Sequence, residues 1–261
     1  MTEAPPHPKP AATVLLVRDA PELEVLMVRR SSGMAFGASA WVFPGGKVAG
    51  ADADEAWQEF SDGSYSAYER SLRIAAARET FEESGLLLAE DRADGRVPDA
   101  EVCARLGRFR PEVEADSSVF LRMVKEAGLR LTLDRLAPFA HWITPAFEPR
   151  RFDTHFFLAV APELQVAHHD GREAIDHGWV SPAAVLEQRL KGETKLMFPT
   201  RLNLELLASA ANVAEAERSA RGRRIVTVEP ELIDRDGQRI LRIPAEAGYS
   251  LVEEAIERVM S

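Results

Sequence analysis

Three glutamates in the run Arg78-Glu79-Thr80-Phe81-Glu82-Glu83-Ser84-Gly85-Leu86 have the residue type and spacing for divalent-metal chemistry. Wound as a helix at about 100° per residue, the segment puts Ile74, Ala77 and Phe81 on one face. Glu79, Glu82 and Glu83 gather near the opposite one. Side chains at i+3 and i+4 are neighbours, so these carboxylates repel one another unless a cation lies among them. Grouped oxygen donors suit a hard ion such as Mg2+ or Mn2+. Gly85 is the residue type that most readily ends a helix. Taken alone, an acidic triplet reads first as a solvated helix face. Its surroundings change that reading.

Upstream stands Trp41-Val42-Phe43-Pro44-Gly45-Gly46-Lys47-Val48, an apolar strand that ends in a double glycine. Glycines there let the backbone turn and approach a ligand without side-chain obstruction. Together the two segments resemble the Nudix box, the signature of the Nudix hydrolases. Gly46 opens the box, and Arg78, Glu79, Glu82, Glu83, Gly85 and Leu86 match its second half. The resemblance departs in three places. Asp52 stands where the first glutamate of the box would be, Thr80 takes a usually apolar position, and 25 residues separate Asp52 from Arg78 where the box has seven. The extra segment, from Ala53 to about Ser71, reads as a short helix and a loop. An insertion here looks most like the Nudix branch that includes a peroxisomal coenzyme A diphosphatase.

The resemblance implies roles. Glu79, Glu82 and Glu83 hold Mg2+ or Mn2+, with the Gly46 carbonyl as a further ligand. Arg78 orients a neighbouring glutamate, and Gly45 and Gly85 shape the motif. Glu83 or Glu173 is the general base, the latter lying in the loop before Trp179. Arg151, and less strongly Arg150, can clamp phosphate oxygens bidentately at the entrance to an apolar strand. Trp142 and Phe147 are read as core residues first and as base-stacking ones second. The His168-His169 pair reads as a polar turn, since imidazole suits Mg2+ poorly. The implied reaction is metal-dependent hydrolysis of a diphosphate linked to another moiety; the branch resemblance suggests coenzyme A or its acyl derivatives as substrate and leaves nucleotide sugars, ADP-ribose and dinucleotides open. The insertion is expected to shape substrate choice. Two other readings stand beside it, a Nudix-fold ligand sensor without hydrolytic activity and a prenyl diphosphate isomerase. The intact helix acids argue against the first. Cys103, in a helical stretch away from the motif, argues against the second.

Composition is consistent with such an enzyme. The 261 residues suffice for a full core, and 46% hydrophobic with 28% charged residues is ordinary for a globular protein. A net charge of −10 argues against a nucleic-acid surface. It leaves an anionic small molecule open, because bound divalent ions reverse the local sign. The single cysteine, Cys103, excludes an internal disulfide and fits the cytoplasm. No apolar run reaches membrane-spanning length, and the Pro-rich start lacks a signal peptide's apolar core.

The elements that must position these residues alternate between strand and helix, which implies an α/β domain. The resemblance sharpens this to the Nudix fold, a mixed sheet between helices, with the box insertion and a C-terminal helix-plus-hairpin extension. Residues 1–10 are expected to be a disordered tail, 11–207 the domain, and 208–261 an extension packed on it. Strands are expected over 11–18, 24–30, 136–143 and 152–160, with a short one at Trp179-Val180. One helix is expected over 200–217, and a hairpin from 224–228 and 239–243 around an Asp-Gly turn. Many relatives dimerise, so the hairpin is a candidate homodimer interface or else a cap.

Overall fold

The computed structural model describes residues 5–30, 40–167 and 174–259. The chain starts with β1 (Lys9–Asp19) and β2 (Leu23–Arg30), then the short β3 (Trp41–Val42) and β4 (Gly45–Lys47). A 3-10 turn at Gly50–Ala53 leads to α1 (Trp57–Phe60) and the long α2 (Ala67–Ser84). A mostly helical excursion follows: β5 (Ala89–Asp91), α3 (Ala100–Gly107), α4 (Arg110–Ala115), α5 (Ser118–Glu126) and β6 (Leu129–Leu131). The chain returns through β7 (Ala137–Ile143), β8 (Phe152–Val160) and β9 (Ala174–Val180) to α6 (Pro182–Leu190), α7 (Phe198–Leu207) and α8 (Val213–Gly222). It closes with β10 (Thr227–Val228), β11 (Glu231–Arg235), β12 (Gln238–Arg242), β13 (Glu253–Ala255) and α9 (Ile256–Val259).

The main sheet runs β10-β7-β8-β1-β2-β3, with β4 also on β1 and β9 also on β2. β1 lies parallel to β8 and antiparallel to β2 and β4, so the sheet is mixed. Side chains alternate along β1 between two apolar environments. Ala12, Val14 and Leu16 pack with Ile74 and Phe81 of α2. Leu15 and Val17 pack with Leu202 and Leu204 of α7 and Ala216 of α8. The mixed sheet between helices is therefore the architecture the resemblance implied. β11, β12 and β13 form a separate three-stranded sheet, whose Leu241 joins the second core. Among the described residues no helix is long and apolar enough to cross a membrane.

Several boundaries differ from expectation. Lys9 and Pro10, expected in the tail, instead open β1, paired with Phe152 and Asp153, and proline's fixed φ suits that extended approach. The carboxylate helix begins at Ala67, within the expected insertion. Ser66 accepts the Glu69 N–H while Glu69 accepts the Ser66 N–H, a capping box that starts the helix there. The single helix expected over 200–217 is two. Asn212 breaks it, its side chain accepting the Glu215 N–H at 2.9 Å as the cap of α8. The hairpin forms around Asp236-Gly237, both with positive φ, but its first strand is β11 rather than 224–228. A two-residue turn pairs the residues next to it, which leaves Thr227–Val228 to extend the main sheet beside His141 and Trp142.

Candidate active site

α2 carries the three glutamates across the end of the sheet. Ile74, Ala77 and Phe81 are fully buried on its sheet-facing side. This fixes the rotation of the helix and turns Glu79, Glu82 and Glu83 toward β4. Gly85, at φ 73°, closes it in the left-handed conformation, with its N–H on the Phe81 carbonyl. The Gly45 N–H donates to Glu83 Oε2 at 3.1 Å. At Gly46 an added Cβ would lie 2.4 Å from the Glu79 carboxyl carbon. Only glycine lets the strand backbone come so near the carboxylate.

Arg78 is the hinge of the cluster. Its Nε and Nη2 each lie 2.9 Å from an Asp52 oxygen, its Nη1 reaches Glu79 at 2.9 Å and Glu82 at 2.7 Å, and its Nη2 donates to the Lys47 carbonyl. The 25-residue gap thus closes in space, and Asp52 serves as the buried anchor of the arginine. Burial pushes the Glu79 carboxyl up to about 7, with Arg78 opposing and Glu82 adding to it. Burial likewise raises Glu82, partly offset by Arg78. Carboxylates that stay hard to ionise beside a guanidinium are short of positive charge. An all-oxygen donor set in that state fits a hard divalent ion. Glu79, Glu82 and Glu83 could hold one, with the adjacent Gly46 backbone within the same corner.

The three glutamates line a cavity of about 1400 Å³ together with Gly45, Gly46, Arg110, Phe147, Arg150 and Phe198. The order expected of the two strand-entrance arginines is reversed. Arg150 is on the cavity wall. Arg151 is buried behind it, donating to the Thr144 carbonyl at 3.0 Å, the Pro6 carbonyl at 3.1 Å and the Glu229 carboxylate. Three acceptors hold that guanidinium as a brace between β8 and the chain start. Trp142 packs against Tyr249 and Phe198 in the core, as expected, and also lines the cavity. Phe147 is not in the core, being 45% exposed on the cavity wall. Among the described residues none from 53–71 lines the cavity, so the insertion does not form its wall. Glu173 and the His168-His169 pair lie outside the described residues.

Sequence reading also missed Arg110, whose Nε donates to the Glu82 carbonyl at 2.8 Å. It missed a group of His141, Asp153 and His155 that is suited to a divalent ion. The one sequence signal for that group is Asp153-Thr154-His155, two donors on one face of a strand. Burial pulls the His155 imidazole down to about 4, the neighbouring His141 adding to the effect.

The family model for the NUDT19 Nudix domain matches residues 61–207, more than half of the chain. The chain belongs to this family. Over 238 residues it is 27% identical to the acyl-coenzyme A diphosphatase NUDT19 of Xenopus laevis, covering 76% of this chain and 63% of that protein. Over 203 residues it is 29% identical to the human protein of that name, covering 73% and 54%. The chain thus spans less than two thirds of the length of these Nudix relatives. A solved Nudix hydrolase from Alicyclobacillus acidocaldarius superposes with a TM-score of 0.72 at 28% identity, over 81% of this chain and 96% of that one.

Proposed function

We propose that the protein is a metal-dependent hydrolase of a diphosphate joined to another moiety, with coenzyme A or its acyl derivatives as substrate. The observation that carries this reading is the Glu79, Glu82 and Glu83 cluster, laid against Gly45-Gly46 on the wall of a large cavity. The Xenopus laevis and human relatives are named acyl-coenzyme A diphosphatases, which supports the substrate class. Glu79, Glu82 and Glu83, with the Gly46 carbonyl, would hold Mg2+ or Mn2+. Bound there, such ions polarise diphosphate oxygens and lower the pKa of an attacking water.

The chain's own groups do the rest. Arg78 holds Glu79 and Glu82 in place through its Nη1. Glu83 is the base, one oxygen steadied by the Gly45 N–H while the carboxylate takes a proton from water. Arg150 covers phosphate charge from the cavity wall, and the exposed Phe147 offers a flat face to a base. Attack at one phosphorus leaves a nucleoside phosphate and a phosphopantetheine or its acyl derivative. The lone, buried Cys103 suits a reducing compartment such as the cytoplasm.

Hydrolysis of a panel tests this: coenzyme A, acyl-coenzyme A, ADP-ribose, NADH, nucleotide sugars and diadenosine polyphosphates, with Mg2+ or Mn2+. Coenzyme A compounds should be cleaved best. Glu83→Gln should lower the rate by about 10²- to 10⁴-fold, and chelator should abolish it. Ligand binding without turnover of any compound would replace the hydrolase with a sensor.

A further inference from the structure

We propose that His141, Asp153 and His155 form a second metal site, for a transition-metal ion of the zinc class, separate from the carboxylate site. Their donor atoms all lie within 4.8 Å of one another. The grouping follows from sheet geometry. His141 of β7 stands directly across from His155 of β8, and Asp153, two residues before His155, shares its face. Thr154 and Phe156, which line the cavity, point to the opposite face. The cluster therefore sits behind the strand that walls the cavity. It faces Tyr68 of α2, whose ring meets the His155 ring edge-on at 6.1 Å. Tyr68 precedes Glu79 by eleven residues, about 16 Å along a helix.

The donors are arranged as ligands. His141 Nε2 is hydrogen-bonded to Asp153 Oδ1, and His155 Nε2 approaches the same oxygen at 3.7 Å. A divalent ion would replace the proton shared by His141 and Asp153 and draw in His155. The outer nitrogen of His141, Nδ1, is fixed at 2.8 Å from Thr227 Oγ1. Such a second-shell partner sets the tautomer and ring angle of a ligating imidazole. The two rings stack at 4.0 Å, which keeps both inner nitrogens on one side. Two imidazoles and a carboxylate favour Zn2+ and its neighbours over Mg2+. Three protein ligands leave a fourth position for water. The competing account is a His–Asp hydrogen bond with a stacked neighbour, to which added metal does nothing.

Co2+ stands in for Zn2+ in the test. Chelator-treated protein in excess Mg2+, which fills the carboxylate site, is titrated with Co2+ and read by visible absorption. One equivalent should produce a band that Zn2+ removes, and Zn2+ should raise the melting temperature. In His155→Gln the affinity should fall by more than the roughly 10- to 100-fold that loss of a second-shell partner costs. Glu83→Gln should keep the band, and Mg2+-dependent turnover should be unchanged in His155→Gln. His141→Gln serves as a second variant should His155→Gln misfold. No band, or a band that survives in both histidine variants, overturns the proposal. So does a band lost in Glu83→Gln, which assigns the ion to the carboxylates.

Discussion

Asp52→Asn separates two roles for the residue that stands in place of the first box glutamate. Asp52 is 2% exposed and Arg78 4%, and their paired contacts at 2.9 Å leave both charges out of water. Oδ2 also accepts the Ala49 N–H at 2.8 Å. Asparagine keeps the shape, removes the charge, and turns an NH2 toward a donor. Removing one partner of a buried pair costs roughly 3–5 kcal/mol. Arg78 keeps Glu79 and Glu82, so the lower end applies, about 3 kcal/mol. In a chain of this size that is a fall in melting temperature of roughly 6–12 °C. The guanidinium would then lean harder on Glu79 and Glu82, weakening metal affinity about tenfold, as losing an outer-shell partner does. Urea unfolding of the chelated protein followed by tryptophan fluorescence gives the first quantity, and calorimetric Mg2+ titration the second. If Asp52 were itself a ligand, the signs would differ. Metal binding would vanish, while the metal-free protein, relieved of one repelling carboxylate, would stay within about 0.5 kcal/mol of the parent. That result would refute its role as an anchor.

Two further outcomes follow from the same corner of the fold. Gly46→Ala places a Cβ 2.4 Å from the Glu79 carboxyl carbon. Gly46 is not among the positive-φ glycines, so the fold should survive with its melting temperature nearly unchanged. A displaced carboxylate should lower kcat/KM by about 10², and near-parent activity would show that Glu79 is not needed where it stands. The Glu79 carboxyl, raised by burial to about 7, must lose its proton to bind a cation. Metal affinity should therefore fall about tenfold per pH unit below 7 and level off above it. In the metal-free protein the sign is reversed. The raised pKa contributes stability that is present below the ordinary carboxylate value and lost as pH rises through 7. Melts with and without chelator between pH 5 and 8 should diverge accordingly. Parallel curves would refute this.

The chemistry-bearing half of the molecule is legible in the chain because it depends on local spacing. Helical periodicity alone places Glu79, Glu82 and Glu83 opposite Ile74 and Phe81, and Gly-Gly, joined to that pattern, marks where a backbone can come close. What sequence reasoning misses depends on distant partners. Arg150 and Arg151 are adjacent and chemically alike. Which one faces the cavity is decided by Pro6, Thr144 and Glu229, none of which the local pattern names. Phe147 looks like a core residue by type, yet a loop holds it half exposed. His141 and Asp153 are twelve residues apart and meet only through the β7–β8 register. The Asn212 cap was readable, since Asn followed three residues later by Glu is a helix-start signature. An Ala- and Leu-rich run obscured it.

The insertion bears on specificity differently from what its place in the motif implies. Trp57 is 1% exposed and packs on Phe120 with ring centroids 5.6 Å apart. Its indole N–H donates to the Ala51 carbonyl at 3.0 Å, one residue from Asp52. The segment therefore braces the 3-10 turn that presents Asp52 to Arg78. Among the described residues none of 53–71 is on the wall of the cavity that holds the glutamates. Trp57→Phe isolates this function, because the ring stays apolar while the Ala51 carbonyl loses the indole donor and keeps the Asp54 N–H. Loss of one such hydrogen bond costs about 0.5–1.5 kcal/mol. The looser Asp52 should then reduce kcat/KM for every substrate by the same factor, with preference ratios held within about twofold. Kinetics on coenzyme A, acyl-coenzyme A and ADP-ribose beside a urea titration would measure both. A variant of unchanged stability whose preference moves from one substrate to another would return the insertion to the substrate.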